Sequence, residues 1–117
     1  MIKGIRNIVH PVANLAAATE LYRTLLGVDP YVNEPYYVGF RPPGAPEVGL
    51  DPNGHPKGMS HPVTFWQVDD AAAAVKELVA AGAREHQPVK DVGGGALTAL
   101  VRDADGNMVG LFQAPSA

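Results

Sequence analysis

Four histidines, His10, His55, His61 and His86, are the natural candidates for metal binding or proton transfer in this chain, which holds no cysteine. The missing thiols remove disulfides, thiolate metal sites and cysteine nucleophiles together. His61 stands two positions ahead of a strand-like run and Glu47 opens another. A non-standard metal site on His61, Glu47 and a further group is one option, and metal-free acid–base work by His61, Glu47 or Arg41 is a second. His55 falls in the turn-rich "DPNGHPKG" and His86 in a predicted strand, where neither has an evident partner.

Two tempting motifs fail on their spacing. "DADGN" (103 to 107) begins like a calcium loop, but its glycine comes two residues early and the twelfth position is Ala114, not Glu. An Asp-Gly pair between apolar runs is a hairpin turn instead. "VGGGAL" (92 to 97) is neither followed by a helix nor completed by a Lys-Ser/Thr pair, so it makes no phosphate cradle. No Ser/His/Asp order suggests a nucleophile.

The elements that must position these residues belong to one domain's length of chain. It has 117 residues, 46% of them hydrophobic and 18% charged, enough to bury a core. A formal net charge of −3 offers no basic stripe, and no run approaches the ~18 apolar residues that span a bilayer, so neither nucleic acid nor membrane is expected as a partner. The N-terminal "MIKGIRNIVH" has no signal-peptide core, and a cytoplasmic location is the expectation.

Along the chain, "IRNIVHPV" (5 to 12) reads as a strand and "NLAAATELYRTLLG" (14 to 27) as a helix capped by Asn14 and ended by Gly27. Three short β runs follow, "PYVN", "YYVGFR" and "EVGLD", punctuated by prolines. The order then repeats: "HPVTFWQV" as strand, "DDAAAAVKELVAAG" as a helix capped by Asp69 or Asp70 and stopped by Gly82, then "REHQPVKDV", "GALTALVR" and "NMVGLFQ" as strands. Setting Val12-Ala13-Asn14-Leu15 on Val68-Asp69-Asp70-Ala71 brings strand ends, caps and, within one residue, helix-ending glycines into register. Two copies are too few for a solenoid, so a pseudo-twofold pair is the reading.

The paired β-α-β-β-β modules, the strand end before a helix closing on "LYRTLLG", and the final "DADGNMVGL" hairpin resemble the vicinal oxygen chelate superfamily of glyoxalases, bleomycin-resistance proteins and extradiol dioxygenases. The resemblance implies an α+β fold of two tandem modules whose curved, half-barrel sheets enclose a cavity: module 1 at about 1–52, a linker at about 53–60 and module 2 at about 61–117. Its enzymes hold a divalent metal with His and Glu from the first and last strands of a module. The corresponding positions here are Asn7 and Val63 on first strands, Gly49 and Gly110 on last strands. No metal and no cofactor is therefore expected, since such a set lacks converging donors. Gly110 is either a ligand position that has lost its carboxylate or a glycine that relieves crowding in a curved strand.

Period-two alternation puts Asn7 and Val9, then Val63, Phe65 and Gln67, then Met108 and Phe112 beside Gly110 on the cavity face. Ile8, Val12, Trp66, Val68, Val109 and Leu111 then face the helices, and His10 points the same way. Tyr36, Tyr37, Phe40 and Arg41 from the middle strands, Glu47, and Met59 from the linker can reach the cavity. The expected ligand-binding set is Asn7, Tyr37, Phe40, Arg41, Glu47, Met59, Phe65, Gln67, Met108 and Phe112. Phe65, Met108 and Phe112 as plain core filling is the competing reading. An aromatic and Met-lined cleft suits a hydrophobic small molecule. By resemblance to the short bleomycin-resistance proteins, the expectation is a homodimer that sequesters or carries such a compound. The alternative is a metal-dependent lyase, isomerase or dioxygenase of the same superfamily.

Overall fold

The computed structural model describes residues 1–116 and is an α+β arrangement of two β-α-β-β-β modules. The first comprises β1 (Ile2–Pro11), α1 (Leu15–Leu26), β2 (Val32–Glu34), β3 (Tyr37–Phe40) and β4 (Glu47–Asp51). Its strands lie in the order β2-β3-β4-β1, antiparallel except for the parallel pair β4 and β1. The second comprises β5 (Val63–Val68), α2 (Ala71–Ala80), β6 (Arg84–Asp91), β7 (Leu97–Arg102) and β8 (Met108–Gln113). Its order, β6-β7-β8-β5, repeats the first, with β8 and β5 as the parallel pair.

Local chemistry sets the helix ends. Asn14 Oδ1 accepts from Ala17 N–H at 3.0 Å and Asp70 Oδ1 from Ala73 N–H at 3.0 Å, so Asp70 rather than Asp69 caps α2. Each such cap is worth about 1 kcal/mol. Gly27 ends α1 in the left-handed region at φ 70°, which a side chain would resist.

One face of each sheet packs on its own helix. In the first module, fully buried Val38, Phe40 and Leu50 meet Val12, Leu15, Ala18, Tyr22 and Leu26. In the second, Val68, Ala99, Val101 and Leu111 meet Ala71, Ala74 and Val75 of α2, which is alanine-rich where it touches the sheet. Burying one large apolar side chain is worth ~1.5–3 kcal/mol, so these two clusters carry much of the stability. The alternation expected for Val12, Val68, Val109 and Leu111 is what the structure has.

Both doubtful glycine motifs are turns. Asp103 accepts from the N–H groups of Asp105 and Asn107 and holds the β7–β8 hairpin, with Gly106 at φ 85°. Gly93, Gly94 and Gly95 all have positive φ and close β6 onto β7 through Val92 N–H to Ala96 O at 2.9 Å. After β4, buried Asp51 takes Lys57 Nζ at 2.7 Å and Asn53 N–H at 2.8 Å, which orders the connector expected at 53–60.

Contacts divide the chain into residues 7–63 and a unit joining Met1–Arg6 to the chain from Thr64 onward. By contacts, the first half of β1 groups with the unit that holds β5 to β8. Lys3 pairs with Asp69 at 2.8 Å, and the Arg6 guanidinium lies 4.9 Å over the Phe112 ring. Among the described residues no helix is long and apolar enough to cross a membrane.

Candidate functional site

Strand register assembles a polar cluster on the sheet face that turns away from α1. Asn7 is paired with Glu47 and Val9 with Gly49 across β1 and β4, and Gly39 with Gly49 across β3 and β4. Alternation then brings Asn7, Tyr37 and Glu47 to one face.

Glu47 is the centre. Its carboxylate is buried, only 6% exposed, yet both oxygens are satisfied: Tyr37 Oη donates to Oε2 at 2.6 Å and Tyr31 Oη donates to Oε1. Asn7 Nδ2 donates in turn to Tyr37 Oη at 3.1 Å, so the protons run from Asn7 through Tyr37 to Glu47. Burial, then the hydrogen bond and charge of Glu47, raise the Tyr37 hydroxyl well above its ordinary range and keep it a neutral donor. Asn7 Oδ1 is buried with no hydrogen-bond partner, leaving one acceptor of the cluster open.

Arg41 closes the cluster at its exposed end. Its guanidinium lies 3.9 Å over the Tyr31 ring, and its Nε is 3.9 Å from Glu47 Oε1, a loose ion pair. The arginine side chain is 62% exposed, whereas the carboxylate it faces is not. A buried charge beside two phenols and a stacked cation is an arrangement for polar recognition and for holding a proton in place.

Two glycines make room for the tyrosines. A Cβ on Gly49 would fall 2.7 Å from the Tyr37 ring, and one on Gly39 would fall 3.1 Å from Tyr37 and 3.3 Å from both Glu47 and Tyr31. The second module repeats the device without polar groups. Phe65 is paired with Gly110, and a Cβ there would fall 2.6 Å from the Phe65 ring. Gly110 gives up its side chain because an aromatic ring occupies that space. Phe65 and Met108, both 8% exposed, and partly buried Gln67 and Phe112 share its face with Leu100.

Of the residues expected at a ligand, Asn7, Tyr37, Arg41 and Glu47 come together. Phe40 does not: it is fully buried against α1, because Tyr37 and Arg41 take one parity of β3 and its exit, leaving Phe40 the other. Met59 is buried beyond the turn whose Gly54 O accepts its N–H. Tyr31 was not expected, since it precedes the regular part of β2 and alternation does not place it. The paired glycines Gly39 and Gly49 were the available signal, as two side chains missing from neighbouring strands imply bulk arriving from elsewhere. An open groove of about 590 Å³ beside α1 is lined by Leu15, Thr19, Arg23, Glu34 and Val38, away from this cluster.

His10 and His61 have other partners. His10 sits 5.1 Å from the Tyr22 ring, its Nδ1 3.4 Å from Tyr22 Oη, and burial lowers its pKa. His61 is exposed and bonded to Ser60 at 3.0 Å. Among the described residues no three His, Cys, Asp or Glu side chains gather as a metal would require. At the positions where the resemblance implies metal ligands, Tyr37 covers Gly49 and Phe65 covers Gly110, while Asn7 and Val63 supply an amide and a methyl face. This donor set does not fit a divalent metal.

Many solved structures share this fold. A Legionella pneumophila protein described as an NAD-dependent benzaldehyde dehydrogenase is similar at TM-score 0.75 and 20% identity, over 92% of this chain and 96% of that one. The methylmalonyl-CoA epimerase from Mycobacterium tuberculosis gives TM-score 0.68 and 18% identity, over 99% and 90%. The Mn(II)-bound glyoxalase from Novosphingobium aromaticivorans gives 0.68 and 19%, over 99% of this chain but 42% of its own. Identities this low speak to fold alone. No curated protein matches the chain. A family model does match, over residues 4–111, and the chain belongs to the Glyoxalase/Bleomycin resistance protein/Dioxygenase superfamily.

Proposed function

We propose that this chain is a metal-free small-molecule binding protein of the glyoxalase/bleomycin-resistance type, working as a homodimer that sequesters or carries a hydrophobic or aromatic ligand. One observation carries the reading: the two last-strand positions where a carboxylate would be sought are glycines under aromatic rings, Gly49 under Tyr37 and Gly110 under Phe65. Space that would hold a ligand set for a metal is given to rings, which suit apolar and planar molecules.

The first-module face supplies the polar part of recognition. Glu47 fixes the two phenols, Tyr31 carries the Arg41 guanidinium, and the hydrogen bonds among them are already made before any ligand arrives. Such preorganisation lowers the ordering cost of binding. On its own sheet face the second module carries Phe65, Met108 and Phe112 beside Gly110.

A second reading has its own support. Glu47 with Tyr37 at 2.6 Å is a carboxylate and phenol pair suited to holding or passing a proton, so metal-free acid–base catalysis is the competitor.

The deciding experiment loads untagged protein with excess nickel, zinc, manganese and ferrous iron, desalts it, and measures bound metal alongside sedimentation and a screen of aromatic compounds. Saturable binding by a metal-free dimer, without turnover, supports the proposal. A stoichiometric metal overturns it in favour of a lyase, isomerase or dioxygenase, and turnover in chelator selects the acid–base reading.

A further inference from the structure

Arg41 is an exposed side chain that stacks on an aromatic ring. It follows Phe40, which is fully buried, and precedes Pro42, whose ring confines the Arg41 backbone to extended conformations. Its guanidinium face rests on the Tyr31 ring at 3.9 Å, and Tyr31 is itself tied to buried Glu47. Arg41 Nε lies 3.9 Å from that carboxylate, beyond hydrogen-bond range, and both Glu47 oxygens already accept phenolic protons. The Nη edge meets no acceptor among the described residues, while the side chain is 62% exposed.

A solvated surface arginine would lack the stacking on Tyr31. A structural ion pair would close to hydrogen-bond distance, and the 3.9 Å between Arg41 Nε and Glu47 Oε1 does not. We infer that the Nη edge of Arg41 is an anion-recognition point, and that the ligand of this face is a planar aromatic molecule bearing a carboxylate. The guanidinium fork matches a carboxylate in two parallel charge-assisted hydrogen bonds, and its stacked posture needs little reorganisation to make them. The adjoining Tyr31 ring, 44% exposed, supplies an aromatic surface beside that edge. Glu47 is the charge that would oppose an incoming anion, and its burial under two phenol donors limits that repulsion.

This inference rests on the small-molecule binding reading, and one experiment separates their fates. Binding of 2-naphthoate and of its neutral counterpart 2-naphthamide is measured by calorimetry on the wild-type protein and on the Arg41→Gln and Arg41→Lys variants. The expected result is naphthoate binding about tenfold tighter than naphthamide in the wild type, the size of one charge-assisted contact. Arg41→Gln removes that preference by weakening naphthoate binding more than naphthamide binding, and Arg41→Lys restores only part of it. Equal binding of the two compounds to the wild type, or a preference that survives in Arg41→Gln, overturns the assignment of Arg41 and leaves the binding reading standing. If neither compound binds the wild type, both fall.

Discussion

The Tyr37 ring lies directly across Gly49, so close that a methyl group on that glycine would sit 2.7 Å from ring carbons of the tyrosine. Tyr37 also donates to Glu47 at 2.6 Å and accepts from Asn7 at 3.1 Å, so it cannot move aside without breaking both bonds. Gly49→Ala is therefore expected to destabilise the fold by ~2–3 kcal/mol, combining overpacking with unmade buried hydrogen bonds. Tyr37→Ala in the same chain removes the clash, so the double variant loses less than the sum of the single losses. Urea unfolding of the four proteins in a double-mutant cycle measures the coupling, and additive losses would show that the contact has no energetic weight.

Glycines of two kinds separate cleanly in the same assay. Gly110→Ala meets the Phe65 ring at 2.6 Å and is expected to cost ~1–3 kcal/mol, relieved when Phe65 is trimmed to Val. Gly27→Ala meets nothing within 4 Å but must adopt φ 70°, costing ~1 kcal/mol whatever Phe65 is. Thermal melts of both variants in wild-type and Phe65→Val backgrounds check this, and a Gly110→Ala loss indifferent to residue 65 would refute the packing account.

Periodicity made the framework readable from sequence. Asn14, Gly27 and Asp70 mark helix ends because capping and left-handed termini depend on the residues themselves. The parity that sends Val12, Val68 and Leu111 to the helices is equally local. The site was legible only in part. Asn7 and Glu47 followed from alternation and Tyr37 and Arg41 from the reach of the middle strands, whereas Tyr31 sits outside the regular strand and arrives through the Gly39 and Gly49 gap, a tertiary fact. Phe40 was misplaced because its neighbours Tyr37 and Arg41 cannot share its parity, a constraint the run "YYVGFR" leaves ambiguous until the strand's start at Tyr37 is known.

Alkaline pH tests the phenol beside the carboxylate. Tyr37 is held neutral in the folded protein by burial and by Glu47, so its folded pKa lies above the unfolded value of 10.0. The stability this gives is fully present below pH 10.0 and is lost as pH rises beyond it, because the unfolded chain then releases a proton the folded one retains. Titration at 295 nm should show one tyrosine lagging the others and absent in Tyr37→Phe, and unfolding free energy should fall less steeply above pH 10 in that variant. A Tyr37 that titrates with the rest would contradict the buried hydrogen bond.

The acid side reads His10. Its ring lies against Tyr22, with Tyr22 Oη 3.4 Å from Nδ1, and partial burial depresses its pKa below 6.5. Here the sign reverses: the unfolded histidine binds a proton more readily, so stability is present above pH 6.5 and declines as pH falls through the folded pKa. Replacing His10 with Gln removes the titrating ring while keeping a polar group beside Tyr22. The variant should lose less stability than the wild type between pH 7 and 5, with α1 packing otherwise retained at neutral pH. Chemical denaturation across that range, paired with a ring-proton titration of His10 by NMR, measures both quantities. Parallel pH profiles for the two proteins would mean that His10 is charged without cost, and that its place against Tyr22 is not the desolvated one the structure gives it.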